Sequence, residues 1–205
     1  MAYTRADILS SVRALLNETT AGFWTDAEID TWTNDGQRDI ATKALCIESK
    51  STIATVNGTL EYAYTGIAVR SAGYLNKSLT KITPIQIGHP PANGTIPQFW
   101  YEWGGKIGIL PVPDAVYTID LYTAIDSVDM ATGAATSNLP QLFRLPMILY
   151  GVYRALIKDR KFAQAAQVYS IYINELQFSR LDVIERKPDT RDSKKIPDRL
   201  VSQTG

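Results

Sequence analysis

Cysteine and histidine are almost absent: Cys46 and His89 are the only ones in 205 residues. A single cysteine excludes an intramolecular disulfide, and a lone histidine in Gly88-His89-Pro90-Pro91 has no second ligand at metal spacing. Cys46 lies in an apolar helical run and reads as a small buried side chain; His89 reads as a surface loop residue. Net charge is missing too, since 21 Lys and Arg balance 21 Asp and Glu. Long-range attraction to nucleic acid or to an anionic membrane therefore gets no support from the total, and any charge-driven contact must be local. No stretch approaches the ~18 apolar residues of a membrane span. The N-terminus also lacks a basic segment followed by an apolar run and a cleavage site. Neither secretion nor membrane spanning is expected, and synthesis is expected in the cytoplasm.

What the chain does have is 45% hydrophobic residues, enough for a sizeable core, and one stretch that opens a helix with unusual clarity. Thr25 is placed to accept from the first-turn N–H groups, Glu28 three residues later to reach back, and Phe23 and Trp24 precede the cap as candidates for a hydrophobic staple. Ile29, Trp32, Gly36, Ile40 and Ala44 then recur at helical spacing. Thr4 with Asp7 is a second cap, followed by Ile8, Leu9, Val12, Leu15 and Leu16 as far as Asn17. The few residues from Glu18 to Trp24 favour two helices folded back on one another, with Trp24 and Trp32 in the core.

After Lys50 the period changes from 3.6 to 2. Thr52–Val56 and Thr59–Tyr64 flank Asn57-Gly58 and predict a type I′ hairpin; Gln98–Trp103 and Lys106–Leu110 flank Gly104-Gly105 and predict a second. Val116–Ile125 predicts a further strand. Leu79–Ile87 reads as a strand confined by Pro84 to an edge or bulge, and Gly88–Pro97 as a loop. Ala131–Asn138 reads as a linker. Helical spacing returns from Leu139-Pro140 through Leu142, Leu145, Ile148, Leu149, Val152, Tyr153 and Leu156, with Pro146 in a first turn, and again from Phe162 to about Arg180.

The fold class so read is α+β: an antiparallel α-helical bundle of about four helices formed by 1–49 and 139–186, a β-rich insertion and linker at 50–138 between helices 2 and 3, and an extended C-terminal tail at 187–205. The tail alternates charges with Pro188, Pro197 and isolated Ile196, Leu200 and Val201, too little apolar surface to fold alone.

No catalytic set competes with this structural reading, and neither an enzyme nor a cofactor is expected. Asp26, Glu28, Asp30, Asp35 and Asp39 cluster in sequence but fit capping, the positive N-terminal dipole and solvated faces. Phe99, Trp100, Tyr101 and Trp103 could stack on bases, but the strand has only Glu102, with Lys106 beyond the turn, so packing or a protein interface is the better account. The run Lys158-Asp159-Arg160-Lys161 reads as a solvated helix junction.

Phe23-Trp-Thr-Asp-Ala-Glu-Ile29, Trp32-Thr-Asn-Asp-Gly-Gln-Arg-Asp-Ile40, Ile109-Leu-Pro-Val-Pro-Asp114, Leu139-Pro140 and Tyr150-Gly-Val-Tyr-Arg-Ala-Leu-Ile-Lys-Asp-Arg-Lys-Phe162 together resemble the head-to-tail adaptor (connector, head-completion) proteins of tailed bacteriophages, over most of residues 1–180. The resemblance implies a structural protein without cofactor that sits in the virion neck as a homo-oligomeric ring, a dodecamer, below the portal protein. Such a ring extends the channel for DNA, which passes without sequence-specific binding, and meets a downstream tail or neck protein. It also implies portal contacts from the tail, for which Arg191, Lys194, Lys195, Ile196, Arg199 and Leu200 are the candidates. The aromatic strand residues Phe99, Trp100, Tyr101 and Trp103 are candidates for a subunit or tail interface. A tail-completion or tail-terminator ring, a single-stranded nucleic-acid-binding module, and a small enzyme whose site is assembled from scattered carboxylates are the competing readings.

Overall fold

The computed structural model describes residues 3–83 and 96–185. It is mixed α+β, with four α-helices and two sheets among these residues. Helix α1 (Arg5–Leu16) starts on the predicted cap: the Asp7 N–H donates to Thr4 Oγ1 at 3.2 Å and the Thr4 N–H returns a bond to the Asp7 carboxylate at 2.8 Å. It stops at Asn17, which takes a left-handed φ of 55°. Helix α2 (Asp26–Ala44) repeats the device with Thr25 and Glu28 and ends at left-handed Leu45. After the strands, a 3-10 turn at Gln141–Phe143 leads into α3 (Arg144–Lys158), with Pro146 in the first turn, where its missing N–H has no intrahelical partner to lose. Helix α4 (Phe162–Glu185) turns back along α3, and Ser179 on it donates to the Leu142 carbonyl at 3.2 Å.

The four helices share one core, centred on Ile8, Val12, Ile29, Ile40, Phe143, Met147 and Tyr172. Trp24 is buried there and Trp32 packs against it half-buried. Two glycines set how closely the helices approach. A Cβ on Gly36 of α2 would stand 3.0 Å from the Tyr150 ring of α3, and one on Gly151 of α3 would stand 2.9 Å from a Val12 methyl of α1. Cys46 is buried, as its apolar context indicates.

The strands are β1 (Glu48–Ala54), β2 (Glu61–Ala63), β3 (Ala68–Tyr74), β4 (Lys77–Ser78), β5 (Thr80–Lys81), β6 (Phe99–Trp103), β7 (Lys106–Leu110) and β8 (Thr118–Ala124). One sheet has the order β1-β8-β3-β4 and the other β2-β7-β6-β5. Val69 and Ala72 (β3), Ile119 and Leu121 (β8), Trp100 (β6), and Ile107 and Ile109 (β7) form a single cluster, so the two sheets bury their faces against one another. The second sheet is covered on its other face as well, where Tyr101 and Leu110 pack with Ile82.

The Gly104-Gly105 hairpin forms as predicted: β6 pairs with β7, and both glycines have positive φ (58° and 74°), which is the type I′ requirement. The Asn57-Gly58 hairpin does not form. Strand β1 pairs with β8 from Glu48↔Ala124 to Ala54↔Thr118, and β2 pairs with β7 in the other sheet. Only Gly58 of the dipeptide has positive φ (73°), and the Tyr62 hydroxyl accepts from the Val56 N–H and donates to the Val56 and Thr59 carbonyls, occupying groups that a hairpin ladder would use. The turn therefore hands the chain from one sheet to the other. The Leu79–Ile87 strand reduces to β5 at a sheet edge; Pro84, His89 and most of the expected loop lie outside the described residues.

Successive side chains of β6 meet different fates, which stability measurements resolve. Trp100→Ala should cost about 3–5 kcal/mol as a cavity in the inter-sheet core, whereas Trp103→Ala, at a position 66% exposed, should stay within about 0.5 kcal/mol. Chemical denaturation of both variants checks the order.

Candidate interface surfaces

The N-terminus of α2 is where the helices are tied together. Trp24 puts its indole among the core side chains and donates from Nε1 to the Ala155 carbonyl of α3 at 3.0 Å. Lys158, in the last turn of α3, donates to the Phe23 carbonyl and to Glu28, each at 2.8 Å, and holds its ammonium 4.8 Å from the Phe23 ring centre. Lys158 is exposed, as expected of the junction, and is at the same time engaged in these bonds. From α1, the buried Arg13 guanidinium donates to the Trp24 carbonyl at 3.0 Å and to the Asp26 carboxylate. The bond from Lys158 and those from Thr25 hold the Glu28 carboxyl down at about 2.

A second set of bonds fixes the chain between β8 and α3. Gln37, fully buried in α2, donates to the Val128 carbonyl at 3.0 Å and accepts from Ser137, whose hydroxyl oxygen in turn accepts the Leu139 N–H at 3.1 Å. Asn34 accepts the Met130 N–H at 3.0 Å, Arg5 donates to the Met130 and Ala131 carbonyls, and Arg38 pairs with Asp129. Backbone bonds from Arg5 to Ala135 and from Ala6 to Gly133 complete the contact. Residues 131–138, expected as a linker, are thus docked along α1 and α2. Arg5 also stands 3.3 Å from Asp30, whose carboxyl is pushed up by burial against that attraction.

The acidic residues of α2 are all bonded within the chain: Asp26 to Arg13, Glu28 to Lys158, Asp30 to Arg5, Asp35 to Arg38, and Asp39 to Lys43 and Tyr172. Among the described residues no group of His, Cys, Asp and Glu is arranged to hold a metal ion. No helix among them is long and apolar enough to cross a membrane.

The aromatic strand is corrected by its burial. Trp100 and Tyr101 are each 2% exposed, so they fill the sheet interior instead of offering an interface or a stacking platform. The Tyr101 hydroxyl donates to Glu61 at 3.0 Å, and its pKa is pushed up to about 12, first by burial and then by that carboxylate. Phe99 is half-buried, and Trp103, at the tip of the β6–β7 hairpin, is the member that reaches solvent. At the opposite end of the strands, beyond the Ala54↔Thr118 pair, Val56, Val112 and Val116 are exposed near the Gly58–Pro113 backbone bond. The tail candidates Arg191, Lys194, Lys195, Ile196, Arg199 and Leu200 lie outside the described residues.

Because the Glu28 carboxyl is depressed in the fold, it contributes stability above the ordinary carboxylate range and loses it as pH falls from about 4.5 towards about 2. Lys158→Met removes the largest cause, so the acid limb of its stability profile should be shallower than that of the parent; equal limbs in urea melts from pH 6 to pH 2 would show that this bond is not what depresses Glu28. Asp30, raised by burial, works in the opposite direction in both proteins and cancels in the comparison.

Comparison with curated proteins gives no match. Comparison with protein families gives a match to the SU10 adaptor protein family over residues 3–194, which takes in both capped helices, the stitched segment and the helix pair that closes the core. With nearly its whole length matched, the chain belongs to the SU10 adaptor protein family.

Proposed function

We propose that this phage adaptor, a structural protein of the virion neck, assembles as a dodecameric ring under the portal protein, extends the DNA channel and offers the docking site for the next tail or neck component. The family match over residues 3–194 carries the reading. Three features support it. The α2 carboxylates are spent on helix caps and ion pairs and not gathered around a cleft. The net charge is zero, which lets an anionic duplex slide past without many phosphate contacts to break. The strands stand apart from the helical core with their own two-sheet interior and exposed Val56, Val112 and Val116 at the far end, an apolar surface of the kind a neighbouring protein covers.

In this reading 1–49 and 139–186 form the helical body, 50–138 the part that projects from it, and 187–205 a tail that orders on the portal. Arg191, Lys194, Lys195, Ile196, Arg199 and Leu200 are the portal contacts, and exposed Trp103 is the member of the aromatic strand that meets a neighbour. Burial of Trp100 and Tyr101 weighs against the single-stranded nucleic-acid module, since base stacking needs accessible rings.

Native mass spectrometry of the chain mixed with the portal ring of the same phage tests the reading. The adaptor ring should join the portal, and the combined Lys194→Glu, Lys195→Glu and Ile196→Asp variant should bind at least about tenfold more weakly. Undiminished binding would remove the tail from the interface, and no binding by the folded parent would favour a tail-side ring. The isolated chain should show no DNA affinity in the micromolar range or tighter at physiological salt; a fluorescence-anisotropy titration with duplex DNA checks this.

A further inference from the structure

Helix α4 carries two stripes where a surface helix carries one. Its inner stripe, Ala165, Tyr172 and Leu176, lies in the interior. On the opposite side, Ala163, Gln167, Ile171, Asn174, Phe178 and Leu181 follow one another at three-, four- and seven-residue spacing and are exposed. Ile171 is 50%, Phe178 66% and Leu181 52% exposed. Between residues 163 and 181 the charged residues are Glu175 and Arg180, and at about 100° per residue both fall away from this outer stripe. A helix in contact with water normally turns a charged face outward; one that is apolar or neutral on both sides is normally covered on both.

The stripe does not end at the helix. Its N-terminal half runs through Gln164 and Gln167 into a groove of about 520 Å³ between α1, α3 and α4, lined by Leu15, Leu16, Leu149, Leu156 and Val168. Helix face and groove make one surface on which the charged side chain is Lys161, at the edge of the groove and paired with Asp159 at 2.7 Å.

We infer that the outer face of α4, with this groove beside it, is where one copy of the chain packs against the next. The inference rests on the ring reading above and names the contact face of that ring. Charge decides among the occupants. Residues 187–205 carry eight charged side chains, so laying that tail along the stripe would bury charges with nothing to pair them. A neutral stripe is matched by a partner surface that is itself neutral, and in a ring the next copy supplies it head to tail with a different face, since stripe against stripe would close as a two-fold dimer. Size points the same way. A helix of 24 residues is about 36 Å long and presents a strip roughly 10 Å wide. That strip is under half of the ~800 Å² per partner of a stable pairwise interface. Such a contact is weak between two free copies and firm in a closed ring, where each copy touches two neighbours.

The test compares full-length proteins by native mass spectrometry and sedimentation over rising concentration, with and without the portal ring. The parent should form higher oligomers. Phe178→Glu and Ile171→Glu should raise the dissociation constant at least tenfold with unchanged circular-dichroism melts, while Leu75→Glu, 74% exposed in the turn between β3 and β4, should assemble like the parent. Phe178→Gln, which adds no charge, repeats the measurement if the Glu variant melts early. Assembly of the α4 variants at parental strength would overturn the inference and leave the ring reading standing. A parent that stays monomeric even with the portal would overturn both. If the Ile196→Asp, Leu200→Asp variant loses self-assembly of the free chain as fully as Phe178→Glu, the tail is the occupant and the second copy is not.

Discussion

Everything in the helical part depends on the meeting of two helix ends. The N-terminus of α2 brings the positive end of its dipole and free N–H groups; the C-terminus of α3 brings the negative end and free carbonyls. Thr25 and Glu28 satisfy the first, and Lys158 serves the second while bonding to Glu28 and to the Phe23 carbonyl. Trp24 adds a bond to Ala155 from inside the core, and Arg13 brings in α1 through the Trp24 carbonyl and Asp26. Arg13 and Trp24 are buried, so losing either removes a donor from a backbone carbonyl in the interior, which costs more than the bond itself contributes, whereas Lys158 and Glu28 meet in contact with water, which screens their pair. The knot also fixes register, and register is what lets Gly36 face Tyr150 and Gly151 face Val12 at distances where an added methyl would force a neighbour to shift.

The strands are coupled to this helical part by polar bonds more than by shared apolar packing. The inter-sheet cluster is composed of strand residues and their turns, while the segment leaving β8 is fastened by Gln37, Asn34, Arg5 and Arg38. A buried glutamine satisfied at both ends is directional, as a leucine is not, so it sets the position of the chain along α2 to within a residue. The two parts can therefore hold a fixed relation without a large joint core.

How far the sequence reveals this follows from the range of the interactions. The caps at Thr4 and Thr25, the Gly104-Gly105 turn and the Pro146 start are decided within four residues and are legible. The partner of β1 is not, because Asn57-Gly58 suits a hairpin locally while its true partner β8 lies more than sixty residues on, and the Tyr62 hydroxyl that reshapes the turn is a tertiary contact. Trp100 and Tyr101 read equally as packing or as interface in the sequence, because adjacent strand residues face opposite ways and nothing local tells how many faces are covered; here both are. Arg13 and Gln37 did leave a signal, since each is a polar residue at the spacing of a buried stripe, Arg13 four residues after Leu9 and Gln37 eight after Ile29. A polar group in that position has to find bonds in the interior, and both do.

Charge is distributed in this chain according to whether it has an internal partner. The side chains of α2 and of the stitched segment spend their charges on one another, while the outer face of α4 has none to spend. For an isolated protein that would be a poor arrangement, because exposed Ile171, Phe178 and Leu181 favour association and a net charge of zero gives no repulsion to oppose it. For a subunit of the proposed ring it would be favourable, since a charged stripe would have to be desolvated at every contact around that ring. The neutrality that gives DNA no long-range attraction to the chain is thus the same property that would suit it to the proposed closed assembly around a channel.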